Sequence, residues 1–256
     1  MGKPEAVVHA PLGAAEIDAR MTMAYEAAGR GDYESALEIW GLLAHAGVAR
    51  AQSNVGACFA NGLGVAADGA LALRWLTLAA EAGDAVGQRN LATLHFKGEK
   101  VEMDPVAAAR WYRAAAEQGD GESQDMLSWL LVEGALLPPD YEAARRWALA
   151  AAEQGIASAM TRMGMLYHNA LGVARDPAVA ALWWRKAAML GDADGQAMLG
   201  AAHHLGAGVA RDPVAALAWL LRGRHGGSKL AEPFITAVTA ACGSDQRRDG
   251  IARHAG

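Results

Sequence analysis

A repeat of 36 residues runs through most of the chain and limits what it can fold into. Residues of one type recur at this spacing, as in the tryptophan series Trp75, Trp111, Trp147, Trp183 and Trp219. Aspartate and glycine keep the same interval, at Asp68, Asp104, Asp140, Asp176 and Asp212 and at Gly47, Gly83, Gly119, Gly155, Gly191 and Gly227. A period of this length is typical of stacked supersecondary units that each contact their neighbours. The sequence therefore predicts a repeat array, which would form one continuous body.

Each repeat predicts two helices joined by a glycine-containing turn. Apolar residues at helical spacing precede the turn, and an aspartate, followed in three units by proline, opens the second helix, as at Asp176-Pro177. Aspartate is a favoured N-cap, and proline is tolerated at the first helical position because its missing N–H has no partner there. Aromatic residues make up only 6% of the chain, which disfavours sheets. We predict an all-α fold, an α-solenoid of antiparallel helix pairs.

The same patterns divide the chain into segments. We expect a flexible N-terminus over residues 1–14 and a shorter, tetratricopeptide-type capping hairpin over 15–47, with helices at Ala15–Ala28 and Tyr33–Ala46. Five repeats follow over 49–228, namely 49–84, 85–120, 121–156, 157–192 and 193–228. A C-terminal capping helix is expected within 229–242, at Leu230–Ala241, and a disordered tail over 243–256.

One position of the first helix always carries a small residue, at Gly56, Ala92, Ser128, Gly164 and Gly200. A residue without bulk lets the second helix of the pair cross closely. The repeating tryptophan of the second helix is expected to fill the space between successive hairpins.

Composition limits the classes of partner and the compartment. The net charge of −5 disfavours general nucleic-acid binding. Every apolar run is interrupted by charges or glycines, so we expect neither membrane insertion nor a secretory signal. Cys58 and Cys242 lie at opposite ends of the array and form no disulfide framework, which fits a reducing, cytoplasmic location.

The pattern of small, aromatic, aspartate and tryptophan positions is best kept from Ala159 to Gly191. It resembles the Sel1-like repeat, a relative of the tetratricopeptide repeat with a longer turn, and the likeness covers residues 49–228 in five units. Departures are local, such as Lys100 and Leu136 in place of the second turn glycine. The resemblance implies a right-handed superhelix whose first helices line a concave face. It also implies an adaptor for other proteins, commonly in bacterial signalling or envelope processes.

Residues that differ between units on the face left free by the packing pattern are candidates for recognition. Large residues concentrate there at Phe96, Trp129, Met165 and His168, and such a cluster suits a peptide or helix of a partner. In an alternative interpretation, Trp129 packs against the neighbouring repeat as an additional core residue. The predicted partner-binding residues are Arg89, Thr93, Phe96, Asp125, Trp129, Met165, His168 and His204.

Catalytic and metal-binding patterns are weak. His168 and His204 occupy equivalent positions in adjacent units, but no carboxylate or thiol at a matching position completes a metal site. No nucleophile, phosphate-loop or zinc-protease motif occurs. We therefore expect a monomeric protein-interaction scaffold that is not an enzyme and needs no cofactor. Two alternatives stay open: a hydrolase acting on peptidoglycan or β-lactams, as in cysteine-rich relatives, and a self-associating structural module.

Overall fold

The computed structural model describes residues 12–134 and 137–241, and every regular element within them is an α-helix. The N-terminal hairpin consists of α1 (Ala14–Gly29) and α2 (Tyr33–His45). The first helices of the repeats, called A helices here, are α3 (Ala49–Asn61), α5 (Ala85–Lys97), α7 (Gly121–Glu133), α9 (Ala157–Asn169) and α11 (Ala193–Leu205). The second, or B, helices are α4 (Gly69–Glu81), α6 (Pro105–Glu117), α8 (Tyr141–Glu153), α10 (Pro177–Met189) and α12 (Pro213–His225), and α13 (Glu232–Ala241) follows them.

The helices belong to two compact units, Met1–Gln118 and Gly119–Gly256. In the first, each helix from α1 to α6 packs against the next one in the chain. In the second, α7 to α13 do the same, and A helices also contact the A helices of neighbouring repeats. The predicted all-α class of stacked helix pairs is confirmed. Residues 1–11 and 242–256, which contain most of the predicted flexible N-terminus and the whole predicted tail, lie outside the described residues.

The repeating aspartates begin the B helices as predicted from their capping chemistry. The Asp68 carboxylate accepts a hydrogen bond from Leu71 N at 2.9 Å, and its counterparts at Asp104, Asp140, Asp176 and Asp212 cap their helices in the same way. Four A helices end at a glycine with positive φ. The fourth repeat ends its A helix at Ala170, with φ 57°, the one non-glycine residue of positive φ in the described part of the chain.

In the three repeats where the small residue of the A helix is glycine, it faces the residue that follows the repeating tryptophan. A Cβ added at Gly56 would lie 2.6 Å from Leu76 Cγ, and one at Gly200 would lie 2.7 Å from Leu220 Cγ. In the third repeat Ser128 instead donates to Ala144 O at 2.8 Å. The helices of a pair therefore approach closely, as the small residues predicted.

The repeating tryptophans are half-buried and lie between hairpins. Trp183 packs against two buried clusters, one that contains Met160 of the A helix before it and one that contains Met163 of that helix and Ala148 of the preceding repeat. At the C-terminal end, α13 begins two residues after the predicted Leu230, and Ile235 and Val238 bury against α11 and α12. None of the described helices has the length and apolar character needed to cross a bilayer.

Candidate functional site

The residues that vary between repeats on the predicted free face fall at four positions of each A helix, which are Ser53, Ala57, Ala60 and Asn61 in the first repeat, and the burial of these positions differs. The first, at Ser53, Asp125, Thr161 and Ala197, is buried, and only Arg89 is half-buried there. The last, at Asn61, Lys97, Glu133, Asn169 and Leu205, is exposed in every repeat. This gradient corrects the expectation that all four positions share one open face, because the first packs between neighbouring helices.

Asp125 illustrates this packing. Its carboxylate accepts hydrogen bonds from Ser158 Oγ at 2.7 Å and Arg162 Nη2 at 2.9 Å, so it joins α7 to α9. The side chains of Asp125 and Arg162 are each only 13% exposed. We therefore assign Asp125 to the contact between repeats and leave it out of the proposed partner surface.

The same register recurs in the first unit. Asn90 Nδ2 donates to Ser53 Oγ at 3.3 Å, and Asn90 follows Ser53 by the same number of residues that separates Arg162 from Asp125. Sequence reasoning missed this contact. A partial signal was available, since the second position carries a polar residue in three of the five repeats, at Asn54, Asn90 and Arg162.

Trp129 and Met165 meet in a depression of about 300 Å³ on the A helices of the second unit. Its lining also contains Glu133, Ser158, Thr161, Arg162, Asp192, Asp194 and Leu230. Trp129 and Met165 are both half-buried, so each presents part of its apolar surface. The aspartates are held in place: Asp192 accepts from Thr161 at 2.6 Å and Asp194 accepts from Ser228 at 2.6 Å. The result is a preformed apolar site with an acidic edge.

The two predicted histidines lie against aromatic rings. His168 is 5.4 Å from the Trp184 ring, and His204 is 6.4 Å from the Phe234 ring of α13. Nδ1 of each is buried and has no hydrogen-bond partner. The described residues contain no group of three or more His, Cys, Asp or Glu side chains placed to hold a metal ion.

The remaining candidates belong to the first unit. Thr93 Oγ1 is 3.0 Å from the Tyr112 hydroxyl, and burial raises the pKa of Tyr112. Thr93 also borders a small depression of about 100 Å³ with Asn61, Asn90, Lys97 and Lys100. Arg89 and Phe96 are half-buried on the same helix. The candidates thus divide between two units, and Trp129 with Met165 form the larger of these two depressions.

The five repeats match a known protein family. A family model described as the Sel1 repeat matches residues 49–84, 85–120, 121–156, 157–192 and 193–228. The chain belongs to the Sel1 repeat family. Proteins of this family are generally non-catalytic interaction scaffolds. None of the curated proteins matches the sequence.

Two solved structures of bacterial proteins are similar over most of this Sel1 repeat chain. One is a protective antigen of uropathogenic Escherichia coli strains with an SLR fold, at 28% identity and a TM-score of 0.78, covering 94% of this chain and 53% of that one. The chain thus spans about half the length of that antigen. The other is a Sel1 repeat protein from Oxalobacter formigenes, at 27% identity and a TM-score of 0.78, covering 90% of this chain and 96% of that one.

Proposed function

We propose that this Sel1 repeat protein is a monomeric, cytoplasmic scaffold that binds a peptide or helix of another protein across its A helices. The observation that supports this most is the depression at Trp129 and Met165. Trp is enriched among residues that dominate binding energy, and Met adapts its shape to an apolar partner. The pathway proposed for it is bacterial signalling or an envelope-related process, and the two similar structures are of bacterial proteins.

The residues around Trp129 favour a specific contact over nonspecific hydrophobic association. Asp192, Asp194 and Glu133 border the apolar lining, and Arg162 contributes a cation that is already paired with Asp125. A partner segment with an apolar side chain at its centre and a polar or basic flank would complement both the apolar lining and the acidic border. Such an arrangement of an apolar centre and a polar rim is typical of protein interfaces.

The partner can be identified by affinity capture with the full chain followed by cross-linking mass spectrometry. We expect cross-links from Lys97 or Lys100, the exposed lysines at the end of α5 and in the turn after it, to one protein. The affinity of that protein is then measured for the parent and for Trp129→Ala. Loss of a central tryptophan contact costs about tenfold or more in affinity.

Met189→Ala is the matched control, since Met189 lies on a B helix of the same unit and is 74% exposed. It should leave the affinity unchanged. A folded Trp129→Ala variant with full affinity would contradict the proposed site. Robust turnover of a chromogenic β-lactam by the pure protein would contradict the non-catalytic assignment and favour the hydrolase alternative.

A further inference from the structure

A second and larger groove lies in the first unit, away from the A-helix residues considered so far. It has a volume of about 780 Å³ and runs between α2 and α4, the second helices of two successive hairpins. Val55 and Phe59 of α3 contribute to its lining, together with Leu37 and Trp75. This volume is within the range of about 300–1,000 Å³ that is typical of ligand sites. The groove is therefore large enough to receive several side chains.

Gly41 opens the α2 side of this groove. It lies inside a helix, where glycine is less favourable than alanine, and a Cβ added to it would meet no atom within 4 Å. The equivalent positions of the repeats carry Thr77, Arg113, Leu149, Arg185 and Leu221. The glycine is therefore peculiar to this hairpin, and no packing inside the described protein explains it. A partner backbone can approach α2 closely at this point.

The apolar lining continues to the surface. Leu71 and Leu78 border the groove and are 36% and 41% exposed. Trp75 is half-buried, and its ring stands 5.0 Å from the ring of His45 in an edge-on arrangement. His45 is fixed in turn, since its Nδ1 lies 2.7 Å from Gly41 O. The groove is thus preformed, with an aromatic wall at one end.

The charges beside the groove indicate what covers it. Glu34 and Glu38 line its α2 edge one helical turn apart, and Arg74 lies on the α4 side. Like charges at the spacing of the two glutamates repel. Within the described part of the chain neither carboxylate takes part in a salt bridge or side-chain hydrogen bond. Two carboxylates at close spacing beside an apolar surface complement a cationic residue of a partner.

We propose that this groove, named the α2–α4 groove, binds an amphipathic helix of a partner protein that carries Lys or Arg on the edge facing α2. The apolar face of that helix covers Phe59, Trp75 and Leu78, and its backbone passes close to Gly41. Helix-in-groove recognition of this kind uses one apolar stripe and flanking charges. The surface is separate from the Trp129 depression, so the chain would have two docking sites.

The test uses two labelled amphipathic peptides that share a leucine stripe, one with lysines and one with glutamates on the polar face. Fluorescence polarisation with the full chain should show binding of the lysine peptide and at least tenfold weaker binding of the glutamate peptide. Gly41→Trp should weaken the lysine peptide at least tenfold by filling the groove. Gly41→Ala adds only a methyl group and should weaken binding much less than Gly41→Trp, and circular dichroism establishes that both variants fold.

Charge-reversal variants distinguish recognition by the two groove glutamates from a general effect of the negative net charge. Glu34→Lys with Glu38→Lys should invert the peptide preference, whereas Glu142→Lys with Glu153→Lys makes the same change in net charge on another part of the chain and should not. Undiminished binding by Gly41→Trp, or equal effects of the two reversals, overturns the proposal. It is also overturned if deletion of residues 1–11 raises the affinity, or if sizing shows a dimer that Gly41→Trp abolishes, because the occupant is then the chain itself.

Discussion

The Cβ position of Gly164 points directly at the indole ring of Trp184, and no side chain fits between them. Trp184 is 1% exposed, and its Nε1 donates to Thr161 O at 3.2 Å. The largest aromatic residue of the repeat series therefore lies opposite a residue with no side chain. In the first and fifth repeats the glycine faces Leu76 and Leu220. The equivalent positions carry Ala92 with Tyr112 in the second repeat and Ser128 with Ala148 in the third.

This size matching predicts that Gly164→Leu is strongly destabilising. The new side chain would overlap the Trp184 ring, and overpacking a filled core costs about 1–3 kcal/mol or more. Ala85→Leu is the control, since Ala85 is a half-buried residue at the start of α5, and we expect it to cost less than about 1 kcal/mol. Chemical denaturation measures both, and equal unfolding midpoints would refute the proposed helix crossing.

A double-mutant cycle tests the matching itself. Gly164→Ser should be destabilising alone, and Trp184→Ala should cost about 3–5 kcal/mol because it leaves a cavity. Combined, they recreate the Ser128 and Ala148 combination of the preceding repeat. We expect a favourable coupling of about 1 kcal/mol or more. If the changes in the free energy of unfolding caused by the two substitutions were additive, the two side chains would not compete for the same space.

The repeating features were predictable from sequence because they follow local rules. Asp68 and its counterparts cap helices through a hydrogen bond three residues away, and the small residue of each A helix recurs at one interval. The exposure and contacts of the candidate-site residues depend instead on how different helices pack against each other. Trp129 and Met165 were predicted because they interrupt the repeat, whereas Asp125 was misplaced on the free face because its pairing with Arg162 depends on the register of neighbouring repeats.

The α2–α4 groove was missed for a related reason. Comparison between repeats identifies residues that vary on A helices, but Gly41, Glu34 and Glu38 lie in the N-terminal hairpin. An unexplained glycine within a helix was the available signal. Its meaning depends on whether a neighbour fills the space, which the sequence of α2 alone does not encode.

Ala170 predicts a stabilising substitution. Its φ of 57° and ψ of 40° are left-handed, which is costly for a residue with a Cβ. Ala170→Gly should raise the free energy of unfolding by about 0.5–1 kcal/mol, after the greater chain entropy of glycine is subtracted. Ala174→Gly, in the same turn but without positive φ, should instead lower it by about 0.5 kcal/mol. Thermal denaturation distinguishes the two, and a destabilised Ala170→Gly variant would contradict the assigned conformation.

Cys58 should be unreactive in the folded protein. Burial raises the pKa of its thiol from 9.0 to about 11, so at pH 8 the reactive thiolate is depleted about 100-fold. In a Cys242→Ser background, iodoacetamide should label Cys58 at least about 100-fold more slowly in the native protein than in urea. Equal rates would contradict the burial of the thiol.

The same shift has a consequence for stability. The raised folded-state pKa means that the contribution of Cys58 is complete below pH 9 and is lost as the pH rises toward 11. The difference in free energy of unfolding between the parent and Cys58→Ala should therefore decrease across this window. A pH-independent difference, measured under reducing conditions, would show that the folded and unfolded thiols ionise alike.

Asp125→Ala should destabilise the second unit because it removes the only carboxylate that Arg162 pairs with in the described structure. Loss of one member of a buried pair costs about 3–5 kcal/mol, and partial exposure reduces the expected loss here to about 2 kcal/mol. Glu133→Ala, at the exposed end of the same helix, should change stability by less than about 0.5 kcal/mol. Replacing both partners, by Asp125→Leu with Arg162→Met, should recover most of the loss, since an apolar pair avoids the unpaired charge. Urea denaturation of the three variants measures these differences, and an Asp125→Ala variant as stable as the parent would return Asp125 to the set of candidate partner contacts.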